Sequence, residues 1–250
     1  MLYLMFGFRL FFRYSVVTSL LVIVWSFSTL SFASGIVIKG TRVIYPASQS
    51  EVTIGMTNTG TAPVLVQSWI DNGNQSDDPA KIVSPFVLTP PISRVDAGKG
   101  QTLRIVASDN KGMVQDKESV FYLNVLEIPT INKKAVGGNK LNIAFRSRLK
   151  LFYRPEGLSG TASEAADKIK WTVTHLGVKA TNPSSFYVSM GTVTYSVGGK
   201  KYTADGEMIA PGSSYEYVFN GAGAVTDIHA VSFNSINDYG TSVEHRVVHQ

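Results

Sequence analysis

A chain of 250 residues with 23 Lys and Arg against 18 Asp and Glu carries a net charge of +5 and contains no cysteine. The cysteine count excludes thiol nucleophiles, thiolate metal sites and redox motifs. The mild positive balance comes without Lys/Arg blocks interleaved with aromatics, which excludes a nucleic-acid groove.

The first element in chain order is a leader. Arg9 and Arg13 precede an apolar stretch at 16–32, and Ser31-Phe32-Ala33 supplies a small-residue cleavage site. This is the layout of a secretory signal peptide, with the cut expected after Ala33. The rival reading is a membrane anchor, because the stretch is nearly long enough to span. Residues 34–250 then form a mature chain of 217 residues, with 21 basic residues against 18 acidic and a net charge of +3. That length suits two sandwiches of about 100 residues better than one.

Apolar β-branched and aromatic runs follow at 36–45, 51–57, 64–70, 103–107, 120–128 and 141–153. Others lie at 170–175, 186–197, 215–219 and 230–236. Between them stand Asn58-Thr59-Gly60, Asp71-Asn72-Gly73, Asp96-Ala97-Gly98, Gly137-Gly138, Gly198-Gly199 and Pro211-Gly212. Short strands at this spacing predict an all-β sandwich or barrel. One short helix is expected at 163–168, and Gly198-Gly199 reads as a hairpin turn.

The run 141–155, LNIAFRSRLKLFYRP, stands apart. At period two, Leu141, Ile143, Phe145, Leu149 and Leu151 share one face, and Arg146, Arg148 and Lys150 the other. A strand with such a face is a pairing hazard if it lies at an edge. Arg154-Pro155-Glu156-Gly157 ends it and marks the expected domain boundary, dividing 34–153 from 154–250.

Catalytic motifs are missing. There is no Gly-x-Ser-x-Gly elbow and no phosphate-binding loop, and Gly221-Ala222-Gly223 reads as a turn. His175 and His229 are isolated. His245 and His249 have a helical spacing that could hold a metal, but 242–249 reads as a strand, which separates the rings. The expectation is therefore no enzyme, no metal and no cofactor. Arg42 and Lys150 lie within apolar strands and fit the solvated side of a half-buried sheet. By position, Glu118, Arg154 and Asp238 are ordinary surface charges that spacing cannot pair.

Taken together, a set of ordered motifs resembles the periplasmic pilus chaperones of the bacterial chaperone–usher pathway, the PapD-like family. The motifs are Thr41-Arg42-Val43-Ile44-Tyr45-Pro46, Gln67-Ser68-Trp69-Ile70, Thr89-Pro90-Pro91 with Arg94, and Glu118-Ser119-Val120-Phe121-Tyr122-Leu123. Leu149-Lys150-Leu151-Phe152-Tyr153-Arg154-Pro155, Thr181-Asn182-Pro183, Ala210-Pro211-Gly212 and Ile236-Asn237-Asp238-Tyr239-Gly240 continue the series.

The resemblance implies two immunoglobulin-like β-sandwich domains arranged as a boomerang with an interdomain cleft. It implies that Arg42 and Lys150 bind the C-terminal carboxylate of a pilus subunit. Leu141, Ile143 and Phe145 would fill the groove of a subunit that lacks one strand of its own. Glu118, Arg154 and Asp238 would form a structural ion network between the domains. The eleven residues between Pro129 and Leu141 match the family's short-loop branch. The partners implied are pilus subunits and an outer-membrane usher, in the periplasm, with no small-molecule substrate. The exposed strand leaves self-association of the free chaperone open. The alternative reading is a two-domain adhesin or structural pilin, which would not need Arg42 and Lys150 at those places. A secreted hydrolase lacks any acid/base pair.

Overall fold

The computed structural model describes residues 35–108, 112–129 and 143–247. The leader, Gly137-Gly138, Leu141 and His249 lie outside the described residues. The described residues belong to one compact unit.

Two all-β sandwiches make up that unit. In the first, one sheet has the order β1 (Ile36–Ile38), β3 (Val52–Asn58), β7 (Gly100–Ala107), β5 (Phe86–Thr89). The facing sheet runs β2 (Arg42–Pro46), β9 (Phe145–Arg154), β8 (Ser119–Pro129), β4 (Val64–Asp71), β6 (Ile92–Val95). Alternate residues of these strands point inward, so Tyr45, Met56, Leu103, Ile105, Leu123, Leu151 and Tyr153 are buried in a common core. The aromatic rings of Tyr45, Phe86 and Tyr153 pack at its end, with centroids 5.4–6.4 Å apart.

The run 36–45, read as one strand, is two. Its first part joins β3 antiparallel, and its second lies parallel to β9 in the other sheet. The switch falls at Gly40, whose φ of 130° is open to glycine and strained for other residues. One short segment thereby closes an edge of each sheet.

The second sandwich packs β10 (Lys170–Val173), β11 (Gly177–Thr181) and β15 (Ser214–Val218) against β13 (Lys200–Asp205), β12 (Val188–Val197), β16 (Val231–Ile236) and β17 (Ser242–Arg246). A two-residue strand, β14 (Met208–Ile209), also pairs with β12. Val178, Val193, Tyr195, Tyr217 and Phe233 fill its core. The hairpin at Gly198-Gly199 has both glycines at positive φ, 58° and 74°, with Val197 opposite Lys200. That is the two-residue geometry whose twist suits antiparallel strands. The helix, α1 (Ala162–Ala165), starts one residue before the expected segment and is shorter. Thr161 caps it, its hydroxyl accepting from the Glu164 amide.

Candidate functional site

β9 is held differently along its length. On one side β8 covers it from Phe145 to Tyr153. On the other, β2 covers only Lys150 to Arg154. Among the described residues, Phe145–Leu149 therefore has an open edge, about 16 Å of unpaired ladder at the usual strand rise. The apolar face changes character at the same place. Leu149 and Leu151 are buried, whereas Phe145 is 65% exposed and Ile143 51% exposed. The strand itself begins at Phe145; Ile143 and Ala144 lie ahead of it without strand pairing, not part of the long strand that the periodicity suggested.

The open edge closes on two cations. Arg42 and Lys150 are direct partners in the parallel β2–β9 ladder. The Arg42 guanidinium donates from Nη1 to the Ile236 carbonyl (2.9 Å) and to Ser189 Oγ (3.4 Å), both in the second sandwich. Its Nε is buried and has no hydrogen-bond partner. Burial holds the Lys150 ammonium below its ordinary range, the adjacent Arg42 lowers it further, and Glu207 partly offsets both. Burial lowers Arg42 as well, against the pull of Asp238. Neither cation has an ion pair within 4.0 Å among the described residues. Two partly desolvated cations held by rigid strands favour an added anion, and a carboxylate offers each of them an oxygen.

Glu118, Arg154 and Asp238, which spacing could not pair, meet across the two sandwiches. Arg154 donates from Nε to Glu118 Oε1 (2.6 Å), and from Nη1 and Nη2 to the two oxygens of Asp238 (2.8 and 3.1 Å). The other oxygen of Glu118 accepts from the Tyr187 amide at 2.8 Å. Burial pushes the Glu118 carboxyl up, with Arg154 opposing. Burial alone would lower Arg154, but its two carboxylate partners prevail and raise it. Both sandwiches thus share one satisfied charge cluster beside the cationic pair.

Two further clusters escaped sequence reasoning. Asp71, Asn124, Tyr122 and Arg148 come together on the outer face of the β4–β8–β9 sheet, although they are up to 77 positions apart. The only sequence signal was the basic row on β9, and it named no partner. In the second sandwich, His245 hydrogen-bonds to Ser235 Oγ and Asp167 Oδ1, both at 2.8 Å, and stacks on Phe233. It lies in β17, as the strand reading requires, and both ring nitrogens are engaged. Among the described residues no group of three His, Cys, Asp or Glu could hold a metal.

Among the described residues, two β-sandwiches leave a strand edge open beside a cationic pair, and comparison with known families assigns the chain to the pilus-assembly chaperones. Residues 35–159 match the family described as pili and flagellar-assembly chaperone, PapD N-terminal domain, and 164–247 the pili assembly chaperone PapD C-terminal domain. The chain belongs to this family of pilus-assembly chaperones. It is 41% identical to the probable fimbrial chaperone YadV of Escherichia coli K12 over 225 residues, covering 88% of this chain and 91% of that one. It is also 41% identical to the chaperone protein MrkB of Klebsiella pneumoniae over 223 residues, covering 88% and 94%. The crystal structure of YadV superposes with a TM-score of 0.73 over 85% of this chain and 98% of that one. A complex of the Salmonella enterica SafA pilin with the SafB chaperone gives 0.72 at 26% identity, over 87% and 98%. These relatives favour a chaperone over an adhesin or structural pilin.

Proposed function

We propose that the protein is a non-enzymatic, ATP-independent periplasmic chaperone that folds and caps pilus subunits by lending them a strand. The observation that carries this reading is the edge at Phe145–Leu149, open on one side and closed by Arg42 and Lys150. The subunit's last strand adds to that edge. Main-chain hydrogen bonds give affinity, and the alternate side chains Leu141, Ile143 and Phe145 enter the subunit's groove for specificity. Arg42 and Lys150 take its terminal carboxylate and fix the register. Glu118, Arg154 and Asp238 set the relation of the two domains, 34–153 and 154–250, around the site. An outer-membrane usher then receives the complex, and another subunit's extension replaces β9. Export uses the leader at 1–33. The loop before β9 fits the short-loop branch.

Co-expression with a candidate subunit, followed by affinity recovery, tests this. Wild-type protein should bring the subunit down. Arg42→Ala and Lys150→Ala should each lose it while keeping a folded circular-dichroism spectrum. Full recovery by both variants would remove the carboxylate anchor from the mechanism.

A further inference from the structure

The bare half of β9 poses a physical problem. Among the described residues, Phe145 to Leu149 has only one neighbouring strand and its apolar face is uncovered at Phe145, so little on that side keeps it extended. Edge segments with few buried contacts open at low free energy. A strand that must be ordered at the moment of binding gives up affinity to conformational entropy.

The opposite face of the same segment is tied down. Arg148 forms a two-pronged pair with Asp71, Nη2 to Oδ1 at 2.6 Å and Nε to Oδ2 at 3.2 Å. Its guanidinium carbon lies 3.6 Å from the centre of the Tyr122 ring. Nη2 also donates to the Gly73 carbonyl at 3.0 Å. Asp71 is itself held by Asn124 Nδ2 at 2.6 Å and by the Gly73 amide at 2.7 Å. Both Asp71 and Asn124 are buried. One pleat further up, Arg146 donates to the Gln75 carbonyl at 3.1 Å. The basic row of β9 therefore grips the chain that leaves β4, residues 71–75, from the side away from the open apolar face.

We propose that Asp71, Asn124 and Arg148 form a positioning clasp that keeps the open half of β9 extended and ready for its subunit. Arg148 acts through β9 and has no need to touch the subunit. Arg146 extends the grip toward the apolar residues that the subunit takes. The planar fork of an arginine suits this place. It pairs with a carboxylate through two parallel bonds while stacking on a ring, and a lysine does neither. The inference rests on the strand-lending reading for its purpose, but not for its physics, which belongs to the free protein.

The test has two readouts. Amide hydrogen exchange of the free protein is followed at those amides of Phe145–Ser147 that bond to β8, with Leu123 and Leu151 as core references. Association and dissociation rates are then measured with the subunit that the wild-type protein recovers in co-expression. Arg148→Ala strands a buried carboxylate, so the neutral pair Asp71→Asn with Arg148→Gln, and the single variant Arg148→Lys, are made beside it. All variants that fold should exchange at least about tenfold faster at Phe145–Ser147, with the core references unchanged, and should associate about tenfold more slowly. Unchanged exchange at Phe145–Ser147 in the neutral pair overturns the clasp. So does slower capture without faster exchange, which would make Arg148 a direct contact of the subunit. Faster exchange combined with unchanged capture overturns the role in readiness. If no subunit is captured even by wild type, the function reading fails, and exchange alone still decides whether the clasp exists.

Discussion

Phe145 separates two meanings of an apolar side chain on β9. At 65% exposed it has gained only about a third of the burial available to it. Complete burial of a phenylalanine is worth about 1.5–3 kcal/mol, so about 1–2 kcal/mol is left to be gained in a partner. Truncation to alanine would also leave a cavity in the subunit groove, bringing the loss on binding to about 3 kcal/mol, or roughly a hundredfold in affinity. The free protein should lose no more than about 0.5 kcal/mol in Phe145→Ala, as for other exposed positions. Leu151 lies on the same face of β9 and is fully buried. It should behave in the opposite way, with Leu151→Ala costing the free protein about 2–5 kcal/mol. Urea unfolding of the free variants gives the first quantity, and the lifetime of the isolated subunit complex the second. A Phe145→Ala protein that is about 2 kcal/mol less stable than wild type, or whose complex lives as long, would refute the assignment of this side chain to the subunit.

Removing the terminal carboxylate from the other side should reproduce the cation variants: a free-acid peptide of the subunit's last strand should compete better with wild type than with Lys150→Met protein, and C-terminal amidation should abolish that preference. Because burial and Arg42 hold Lys150 below the ordinary lysine range, capture should fade at a lower alkaline pH than a solvent-exposed lysine would dictate, and Lys150→Arg should extend it upward. Arg154→Met strands the buried Glu118 and should cost about 3–5 kcal/mol in thermal or urea unfolding, whereas adding Glu118→Gln should restore part of that loss. Asp71 is shifted by burial upward, but Arg148 and Asn124 outweigh it and hold the carboxyl below its ordinary value of 3.8. Its folded form therefore binds fewer protons than the unfolded chain; the stabilisation is present above about pH 4 and lost as pH falls through the folded value. Urea midpoints between about pH 3 and 7 should show that slope in wild type and a shallower one in Asp71→Asn combined with Arg148→Gln.

The period-two rows carried much of the fold. They located the strand cores of both sandwiches, and Gly198-Gly199 marked its hairpin because two adjacent glycines satisfy the two positive φ values there. Strands such as β5, β6 and β11 were not legible. Each has only four or five residues and is flanked by proline or glycine, so local composition reads as turn while pairing with a neighbour makes it a strand. The division of 36–45 between two sheets falls at Lys39-Gly40-Thr41-Arg42, a polar interruption short enough to be read as part of one strand with a solvated side. At the site, the residues that matter were visible but their relations were not. Arg42 and Lys150 are 108 positions apart, and only the parallel register brings them side by side. The resemblance supplied that pairing; composition and spacing had described the same two residues as solvated charges. Asp71 and Arg148 had no such help, and a buried pair between distant strands leaves no periodic trace.

The place where β2 begins, at Arg42 beside Lys150, has a consequence for what this edge can accept. A strand from the middle of some other folded chain has no free carboxylate at that point. Laid along Phe145–Leu149, it would run on into Arg42 and Lys150 and cover both cations without supplying an anion, which costs several kcal/mol. A chain that ends there meets them with its own negative terminus. On the proposed reading, the open ladder discriminates between the end of a polypeptide and its interior, and an adhesive surface becomes a reader of chain termini.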